Sequence, residues 1–530
     1  MRKMAAETFS DILSKMAFLF ELKSENPFKI KAFQNAARVL EEQSEEIDAL
    51  VSSGKINALP GVGKGTQTLA KEFVDTKKIT DFESLKKEFP ETIFELLEVR
   101  GLGPKKCKAL YEELQIASLS ELEYACRENR LQDLKGFGEK TQTSILSNIE
   151  ELKKNRNFLL LPQAQFFAEE VKEELEKNAK ANFQVVGEVA RSLEVISRIE
   201  FYVHDTVKAL PAKFHFQKQE PGLWAGTTEE GFPILIHEKN SRESEEEALF
   251  RLSAAPEFWM KAAKNFKTIS WLPPEAREEE NAALVKSVLP LLEEKNIRGV
   301  FHMHTKASDG ANTLEEMVQG CIAFGYEYMG VSDHSQSAFY ANGLKAATIQ
   351  KQKEEIAKLQ KKYPQIKIFH GVESDILADG SLDYPEEILQ DLDFVIASVH
   401  GQFRMSKEDM TKRICRALEN PFTTWLGHST GRLLLGRKGY EMDMETVLQT
   451  ASKTKKGIEL NSNPYRLDLD WRHLQRAKEL KISIGIFPDA HSVEGLKDVK
   501  YGVLMARKGL LAPADIVNTK NRSEMEKFLA

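Results

Sequence analysis

Seven apolar runs, each followed by polar residues, alternate with helical stretches in the C-terminal half of the 530-residue chain. The runs end, in order, at His304, His334, Glu373, His400, His428, Asn461 and His491. Alternating strands and helices of this length favour a parallel sheet, and seven such units predict a closed or nearly closed barrel. Barrel enzymes carry their chemistry at the carboxyl ends of the strands. The histidines lie at those ends, so the pattern constrains both the fold and the position of a site.

The residue types at these strand ends are those that bind transition metals. His302 and His304 alternate along one strand and therefore share a face, with Asp309 in the loop beyond. Asp333 and His334 are adjacent and face opposite ways, so only one can be a ligand, and we expect it to be His334. Any one of these histidines, taken alone, is more often an ordinary surface or core residue. Taken together, the imidazoles and carboxylates at successive strand ends predict a metal site.

A second pattern, Gly-apolar-Gly, occurs three times in the N-terminal part, each time before a helical stretch. Glycines permit a turn with positive φ and leave room for a ligand, while the N–H groups that begin the next helix can hold a phosphate. One copy would be an ordinary helix connection, but three predict helix-hairpin-helix binding of DNA backbone phosphates, independent of sequence. One of the three hairpins could still be purely structural. The DNA contacts are expected at Gly61, Gly63, Lys64, Gly101, Gly103, Lys105, Gly136, Gly138 and Lys140.

Composition limits the class of protein. A chain of this length is expected to divide into several domains. The net charge of −7, from 74 basic and 81 acidic residues, argues against a binder that relies on overall positive charge. The four scattered cysteines lack zinc or disulfide spacing, and no stretch fits a signal peptide or a membrane span. We therefore expect a cytoplasmic protein that does not bind a membrane. The sequence leaves protein partners and the oligomeric state open, a monomer included.

The chain resembles, over essentially its whole length, the bacterial family X DNA polymerases with a C-terminal polymerase-and-histidinol-phosphatase (PHP) domain. The likeness is carried by Pro27-Phe28-Lys29 to Ala37-Arg38, the Gly101 hairpin, Leu272-Pro273-Pro274-Glu275 to Arg277-Glu278 and the C-terminal histidines. The resemblance implies a multidomain α+β and α/β fold. Its expected parts are an N-terminal helical domain with the first hairpin (1–80), a fingers-like helical domain with two hairpins (81–155), a degenerate nucleotidyltransferase palm (156–290) and a distorted (β/α)7 PHP barrel (295–530).

The resemblance also implies a set of metal ligands. The family's nine ligand positions fall on His302, His304, Asp309, His334, Glu373, His400, His428, Asp489 and His491. The family binds three divalent ions, and imidazole with carboxylate suits Mn²⁺, Zn²⁺ or Fe, of which we expect Mn²⁺. The resemblance implies that Glu373 bridges two ions, and we expect Glu373, His304 and Asp489 at the reacting centre. Asp333 and Asp375 are expected to orient ligand imidazoles.

The palm departs from the family pattern at its chemistry. The family holds two magnesium ions with an Asp-x-Asp strand and a third Asp on a later strand. Here the predicted strand Ile196–Val203 offers Arg198-Ile199-Glu200, and the later strand Phe232–Ile236 has no acid. The family's Gly-Ser turn reads Gly187-Glu188. An arginine brings a fixed positive charge to a position that needs a negative one, so we expect polymerase activity to be lost.

The expected function is that of a metal-dependent phosphodiesterase, a 3′→5′ exonuclease or 3′-end processing enzyme in DNA repair, with abasic-site incision as a close variant. Arg432 and Arg466, near the strand ends, are expected to grip substrate phosphate. The alternatives are a PHP phosphatase for a small phosphomonoester, an active family X polymerase, and a DNA-binding scaffold without catalysis.

Overall fold

A computed structural model of the full chain describes residues 8–41, 47–59, 61–131, 134–154, 158–207, 209–228, 231–239, 243–283 and 290–530. The chain divides into two compact units. One holds Met1–Cys126 and Leu131–Ile149, and the other holds Arg127–Arg130 and Glu150–Ala530. The palm-like region and the barrel therefore share one unit. Within the described ranges, none of the helices combines the length and the apolar composition needed to cross a membrane.

The helical unit consists of amphipathic helices with an apolar core. Thr8 caps the first helix, because its hydroxyl accepts a hydrogen bond from the Asp11 N–H while the Asp11 carboxylate accepts one from the Thr8 N–H. The helices are α1 (Phe9–Leu22), α2 (Pro27–Glu41), α3 (Ile47–Ser52), α4 (Lys64–Thr76), α5 (Thr80–Lys86), α6 (Pro104–Leu114), α7 (Leu119–Arg127) and α8 (Glu139–Lys154). The apolar residue of each Gly-apolar-Gly hairpin is buried: Val62, Leu102 and Phe137.

A mixed five-stranded sheet forms the palm-like region, in the order β2-β4-β7-β6-β5. Strands β4 and β7 are parallel, and the other neighbours are antiparallel. Its elements are β1 (Leu159–Leu160), α9 (Leu161–Ala179), β2 (Phe183–Val186), α10 (Gly187–Ala190), β3 (Val195–Ile196), β4 (Ile199–Val203), β5 (Gln217–Glu220), β6 (Leu223–Thr227), β7 (Pro233–Glu238), α11 (Glu245–Leu252), α12 (Pro256–Ala262) and α13 (Phe266–Ile269).

The strand predicted over Ile196–Val203 was wrong in its extent. β3 ends at Ile196 and pairs with β1, and β4 begins only at Ile199. The interruption has a local cause, because Ser197 donates both its N–H and its hydroxyl to the Glu188 carboxylate, at 2.5 and 2.7 Å. Arg198 therefore lies before the strand, and only Glu200 is inside it.

The C-terminal half forms the barrel that the sequence predicts. Seven parallel strands follow one another in chain order, from β8 to β14. The elements are β8 (Gly299–Val300), α14 (Leu314–Ala323), β9 (Tyr328–Val331), α15 (Ala346–Lys362), β10 (Lys367–Asp375), α16 (Glu386–Leu389), β11 (Phe394–Ser398), α17 (Lys407–Glu419), β12 (Trp425–Leu426), α18 (Met444–Thr454), β13 (Gly457–Asn461), α19 (Leu474–Glu479), β14 (Ile484–Phe487), α20 (Val499–Lys508) and α21 (Arg522–Leu529). A parallel bridge between Met303 and Ala490, just beyond the first and last strands, brings the sheet close to closure. The expected distorted seven-stranded barrel is confirmed.

Aromatic side chains fill the space between the barrel strands. The ring of Phe301 lies within 6 Å of the rings of Tyr328, Phe369, Phe394, Trp425 and Phe487. A Cβ at Gly330 would stand 2.1 Å from the Phe301 ring, so this strand position has room only for glycine. Because Phe301 directly precedes His302, this packing fixes the backbone from which the first predicted ligands project.

Candidate metal centre

The predicted ligands lie at one edge of the barrel, mostly just beyond the ends of the strands. His302 and His304 follow the end of β8, and His334 follows the end of β9. Backbone hydrogen bonds still hold these segments in place, since the N–H of His304 donates to the carbonyl of Ala490 at 2.8 Å and His334 forms a parallel bridge with Glu373. The strands are therefore shorter than predicted, but their carboxyl ends carry the site.

Four overlapping groups of side chains are arranged so that each could hold a metal ion. Within each group the ligand atoms lie within 4.8 Å of one another. The groups are His304 with Asp309, His334 and His491; His302 with His304 and Asp489; His302 with Glu373 and His428; and His334 with Glu373 and His400. Every one of the nine expected ligand positions occurs in at least one group. The structure thus brings the whole predicted set together in one cluster.

Glu373 is the centre of this cluster, because imidazole nitrogens face both of its carboxylate oxygens. Its Oε1 lies 3.2 Å from His302 Nε2, 3.1 Å from His400 Nε2 and 2.9 Å from His428 Nε2. Its Oε2 lies 2.9 Å from His334 Nδ1. Because Glu373 belongs to two of the four ligand groups, its carboxylate is placed where two ions could share it.

Burial and mutual contact set the charge of these groups. Burial by itself raises the pKa of Glu373, but the surrounding imidazoles, His400 foremost, hold that pKa well below its usual range. Burial and neighbouring imidazoles lower the pKa of His304 to about 4. Burial and the Arg466 guanidinium lower the pKa of His428 to about 3. The carboxylate is therefore ionised and these two imidazoles are neutral near pH 7, which are the forms that bind metals.

Two further carboxylates hold ligand imidazoles from behind. Glu459, fully buried in β13, accepts a hydrogen bond from His302 Nδ1 at 2.5 Å and another from the N–H of His428. Asp375 contacts Nδ1 of His400, as expected. Glu459 was not among the predicted residues, although an acid inside the apolar run Gly457–Asn461 was a signal for it. Such partners fix the tautomer and orientation of a ligand histidine.

The expected role of Asp333 was wrong. Among the described residues, no ligand imidazole donates a hydrogen bond to its carboxylate. The carboxylate accepts hydrogen bonds from the Thr305 N–H at 2.7 Å, the Ser308 hydroxyl at 2.5 Å and the Gln352 side chain at 2.5 Å. Thr305 and Ser308 belong to the loop that carries Asp309. Asp333 therefore positions a ligand loop rather than a ligand ring, because its side chain faces away from the cluster, as strand alternation requires.

The two candidate arginines occupy different positions. Arg466 is buried, and its Nε lies 3.3 Å from Oδ2 of Asp489, so it reaches the cluster. Arg432 lies behind it: its Nη1 donates to the Asp470 carboxylate at 2.6 Å, its Nε to the Arg466 carbonyl at 2.9 Å and its Nη2 to the Leu467 carbonyl. The guanidinium of Arg432 holds this segment, and of the two candidate arginines it is Arg466 that contacts a predicted ligand.

The three hairpins of the helical unit share one backbone design. Their first glycines, Gly61, Gly101 and Gly136, have φ between 84° and 93°, a conformation that favours glycine. Their second glycines are exposed, and a Cβ added at any of them would meet no atom within 4 Å; these are Gly63, Gly103 and Gly138. The lysines Lys64, Lys105 and Lys140 are exposed beside them. The arrangement leaves open space and positive charge at each hairpin.

Comparison with known proteins accounts for this combination of parts. Residues 4–79 match the helix-hairpin-helix domain family, residues 93–152 the SAM-like helix-hairpin-helix tandem family, and residues 301–463 the PHP domain family. DNA polymerase/3′-5′ exonuclease PolX of Bacillus subtilis (strain 168) is 33% identical over 561 aligned positions, which cover 98% of both chains. The chain belongs to the PolX family. As a PolX-family protein it has a PHP domain, and this domain with its His, Asp and Glu cluster implies divalent metal ions as cofactors.

Other relatives cover only part of the PolX-family chain. A probable phosphatase of Caldanaerobacter subterraneus is 28% identical over 207 aligned positions, 36% of this chain and 74% of its own length. A probable phosphatase of Caldicellulosiruptor saccharolyticus is 32% identical over 205 positions, 36% of this chain and 78% of its own length. Their length is close to that of the barrel alone, whereas the B. subtilis relative matches 98% of this chain.

The palm-like region carries an arrangement that differs from a two-metal polymerase site. Glu200, buried in β4, contacts Arg198 Nε at 2.9 Å with one oxygen and His237 Nε2 at 3.0 Å with the other. The residue paired with it on β7 is Leu235, which cannot bind a metal. Glu188, which follows Gly187 where the family has its Gly-Ser turn, accepts the hydrogen bonds of Ser197. The later strand, β7, extends two residues beyond the predicted end at Ile236 and ends at an acid, Glu238. The β4 carboxylate, Glu200, already has two basic partners.

Proposed function

We propose that the chain is a metal-dependent 3′→5′ exodeoxyribonuclease that processes DNA ends in repair. The observation that carries this proposal is the complete ligand cluster, in which Glu373 joins two of the four groups. Membership of the PolX family supports DNA as the substrate, and the B. subtilis relative is named as a 3′-5′ exonuclease. Trimming of 3′ ends and incision at abasic sites are close variants, since one site can hydrolyse any phosphodiester presented to it.

The cluster fits divalent metal ions on chemical grounds. His302 Nε2, His304 Nε2, Asp309 Oδ2 and Glu373 Oε2 are buried atoms that lie close to one another across the cluster, but within the described part of the chain none of them forms a well-aligned hydrogen bond. Buried polar atoms without partners are costly, and metal coordination removes that cost. Several imidazoles beside several carboxylates suit Mn²⁺, Zn²⁺ or Fe better than Mg²⁺. We propose that the cluster binds three ions, that the metal is Mn²⁺, and that two of the ions share Glu373 as a ligand.

The residues of the chain divide the work of the reaction. Bound divalent ions supply Lewis-acid polarisation of the phosphate and lower the pKa of water. Glu373, His304 and Asp489 hold the centre at which these effects act, and Glu459 fixes the orientation of His302. The buried Arg466 adds a fixed positive charge beside Asp489, where it can hold a phosphate oxygen of the scissile group.

The hairpins would hold the DNA by its backbone. Their exposed glycines admit a phosphate oxygen close to the backbone N–H groups, and the neighbouring lysines add charge. Contacts of this kind carry no sequence information, so the enzyme should process ends of any sequence. The proposed domains are those expected from the sequence, 1–80, 81–155, 156–290 and 295–530. We also propose that the palm-like region has lost polymerase activity, because Arg198 and His237 occupy Glu200, the carboxylate of β4.

Digestion of a 5′-labelled single-stranded oligonucleotide with Mn²⁺ tests this function. The wild type should give a shortening ladder, and His304→Ala should lower the rate by more than about a hundredfold, since even partners behind a metal ligand are worth 10–100-fold. His215→Ala, at an exposed histidine of the palm-like region, is the matched control and should cleave at the wild-type rate. Metal content, measured on the same samples, should fall only in His304→Ala.

Two results would contradict the proposal. If the oligonucleotide stays intact although the protein has bound metal, the chain is not an exonuclease. A longer product on a primed template with dNTPs, lost in Glu200→Ala, would mean that the palm-like region still polymerises.

A phosphatase for a small phosphomonoester is the second candidate. The relatives named as probable phosphatases favour it, because they match a part of the chain about as long as the barrel. Hydrolysis of histidinol phosphate by the wild type, without cleavage of the oligonucleotide, would select this function. The opposite pattern would select the nuclease.

A further inference from the structure

One exposed aromatic side chain lies at the edge of the barrel that carries the metal ligands. The ring of Phe339 is 78% exposed, although large apolar side chains are normally buried. It lies five residues after His334, in the segment that connects β9 to α15. Among the large apolar residues that are exposed in the described chain, Phe339 alone lies in a loop at the carboxyl end of a barrel strand; the others are Phe28, Phe158, Phe166, Met260, Trp271, Phe324 and Phe528.

Hydrogen bonds fasten the Phe339 loop to the strand that carries Glu373. The N–H of Ser335 donates to the Glu373 carbonyl at 3.0 Å, and the Ser335 hydroxyl accepts from the Asp375 N–H at 2.9 Å. The Ser337 hydroxyl donates to the Asp375 carboxylate at 2.7 Å. A loop that is held in this way presents the aromatic ring in a defined position relative to the ligands, at little further cost in conformational entropy.

The Phe339 loop also contacts the loop of another ligand. The side chain of Asn342 donates to the Ala307 carbonyl at 3.3 Å, two residues before Asp309. The loop that carries Phe339 therefore joins the segments that supply His334 and Asp309, which belong to the same ligand group, and forms part of the rim of the site. A DNA strand whose phosphate reaches this group would pass along this rim.

A second aromatic residue near the site is used differently. Phe403, three residues after His400, stacks on Tyr440 with ring centroids 6.0 Å apart and an interplanar angle of 18°. Its other contact is the Arg437 guanidinium, 4.1 Å from the ring centroid. Phe403 is thus part of the packing between two loops, whereas most of the Phe339 ring faces solvent.

We propose that Phe339 is a stacking platform for an unpaired nucleobase of the DNA strand that enters the metal centre. This inference rests on the proposed nuclease function and specifies its substrate, a single-stranded or frayed end. Every base has a π face, so stacking on an aromatic side chain tolerates any sequence, as the hairpin contacts do. A base within a duplex is stacked on both faces and cannot use the platform. The ring would therefore favour unpaired ends over paired ones.

Steady-state kinetics on two substrates tests the platform. Phe339→Ala should raise KM for a single-stranded oligonucleotide roughly tenfold, and Phe339→Trp should restore the wild-type value, because loss of one stacked base costs about this much. Neither substitution should change hydrolysis of bis(p-nitrophenyl) phosphate, which is too small to reach the rim. Phe324→Ala is the matched control, since this exposed ring lies at the end of α14, before β9 begins. A wild-type KM in Phe339→Ala, or equal losses on both substrates, would overturn the proposal.

Binding of short oligothymidylates to the His304→Ala protein separates this inference from the nuclease function. An oligothymidylate with one abasic position near its 3′ end should bind roughly tenfold more weakly than the intact one. The His304→Ala, Phe339→Ala double variant should bind the two oligothymidylates equally, because it lacks the ring on which the base would stack. Equal binding of the two oligothymidylates to the His304→Ala protein would overturn the proposed platform. A wild type that cleaves no DNA, with the difference in binding present, would overturn the nuclease function and keep the platform.

Discussion

At the scale of the residue, the metal centre depends on buried groups that do not themselves bind the ions. Glu459 is the clearest example, because it is fully buried and both of its oxygens accept hydrogen bonds, one from the His302 ring and one from the His428 backbone. Burial raises the pKa of Glu459, and the positive charge of His302 opposes that effect. The carboxylate thus serves as an anchor for two neighbouring ligand segments.

Replacement of Glu459 by glutamine should weaken metal binding without unfolding the barrel. Glutamine keeps the shape and one acceptor oxygen but loses the charge that favours His302 as a ligand, so metal affinity should fall about 10–100-fold. Isothermal titration of the metal-free protein with Mn²⁺ measures this, with Glu445→Gln as control, since Glu445 pairs with Arg476 on the surface. Unchanged Mn²⁺ affinity in Glu459→Gln would mean that the contact is only structural.

At the scale of the element, the strands and hairpins show which features a sequence can predict. An apolar run that ends in His or Glu predicts a barrel strand, because the run is buried in the barrel and the residue at its end is a predicted metal ligand. The length of each strand is not predictable in this way. Ser197, for example, donates hydrogen bonds to Glu188 of another element, and the strand predicted through Ser197 is interrupted there. The roles of Arg432 and Asp333 depend likewise on segments distant in sequence.

At one hairpin, a single substitution should lower the affinity for DNA without lowering the stability of the protein. Gly103 is the N-cap of α6, a position at which aspartate stabilises a helix. A Cβ there meets no atom within 4 Å, so Gly103→Asp should fold with unchanged or higher stability. The new charge would repel a phosphate, and affinity for DNA should fall roughly tenfold at low salt.

Gly103→Asn is the matched control for that change, because asparagine caps a helix about equally well and carries no charge. Fluorescence anisotropy gives the affinities, and urea unfolding gives the stabilities. Equal affinities of the aspartate and asparagine proteins would show that no phosphate approaches this hairpin.

At the scale of the whole molecule, buried charges join the palm-like region to the barrel within one compact unit. Lys508 at the end of α20 is fully buried, and its Nζ donates to the Glu278 carboxylate at 2.6 Å and to the Arg191 carbonyl at 3.0 Å. Glu194 of the palm-like region lies 3.6 Å from Arg472 of the barrel. These contacts would give a reason to retain the palm-like region without the polymerase activity that we propose it has lost.

If the palm-like region supports the barrel, breaking the Lys508 contact should weaken both together. Lys508→Met leaves Glu278 buried with Arg191 as its remaining partner. The free energy of unfolding should therefore fall by about 3 kcal/mol, the lower end of the range for a buried ion pair that loses one partner. Urea titrations followed by tryptophan fluorescence and by nuclease activity should shift to lower midpoints in parallel. Lys497→Met, at an exposed pair with Glu494, should leave both midpoints unchanged. A nuclease midpoint that stays at the wild-type value while the fluorescence midpoint falls would show that the barrel stands without the palm-like region.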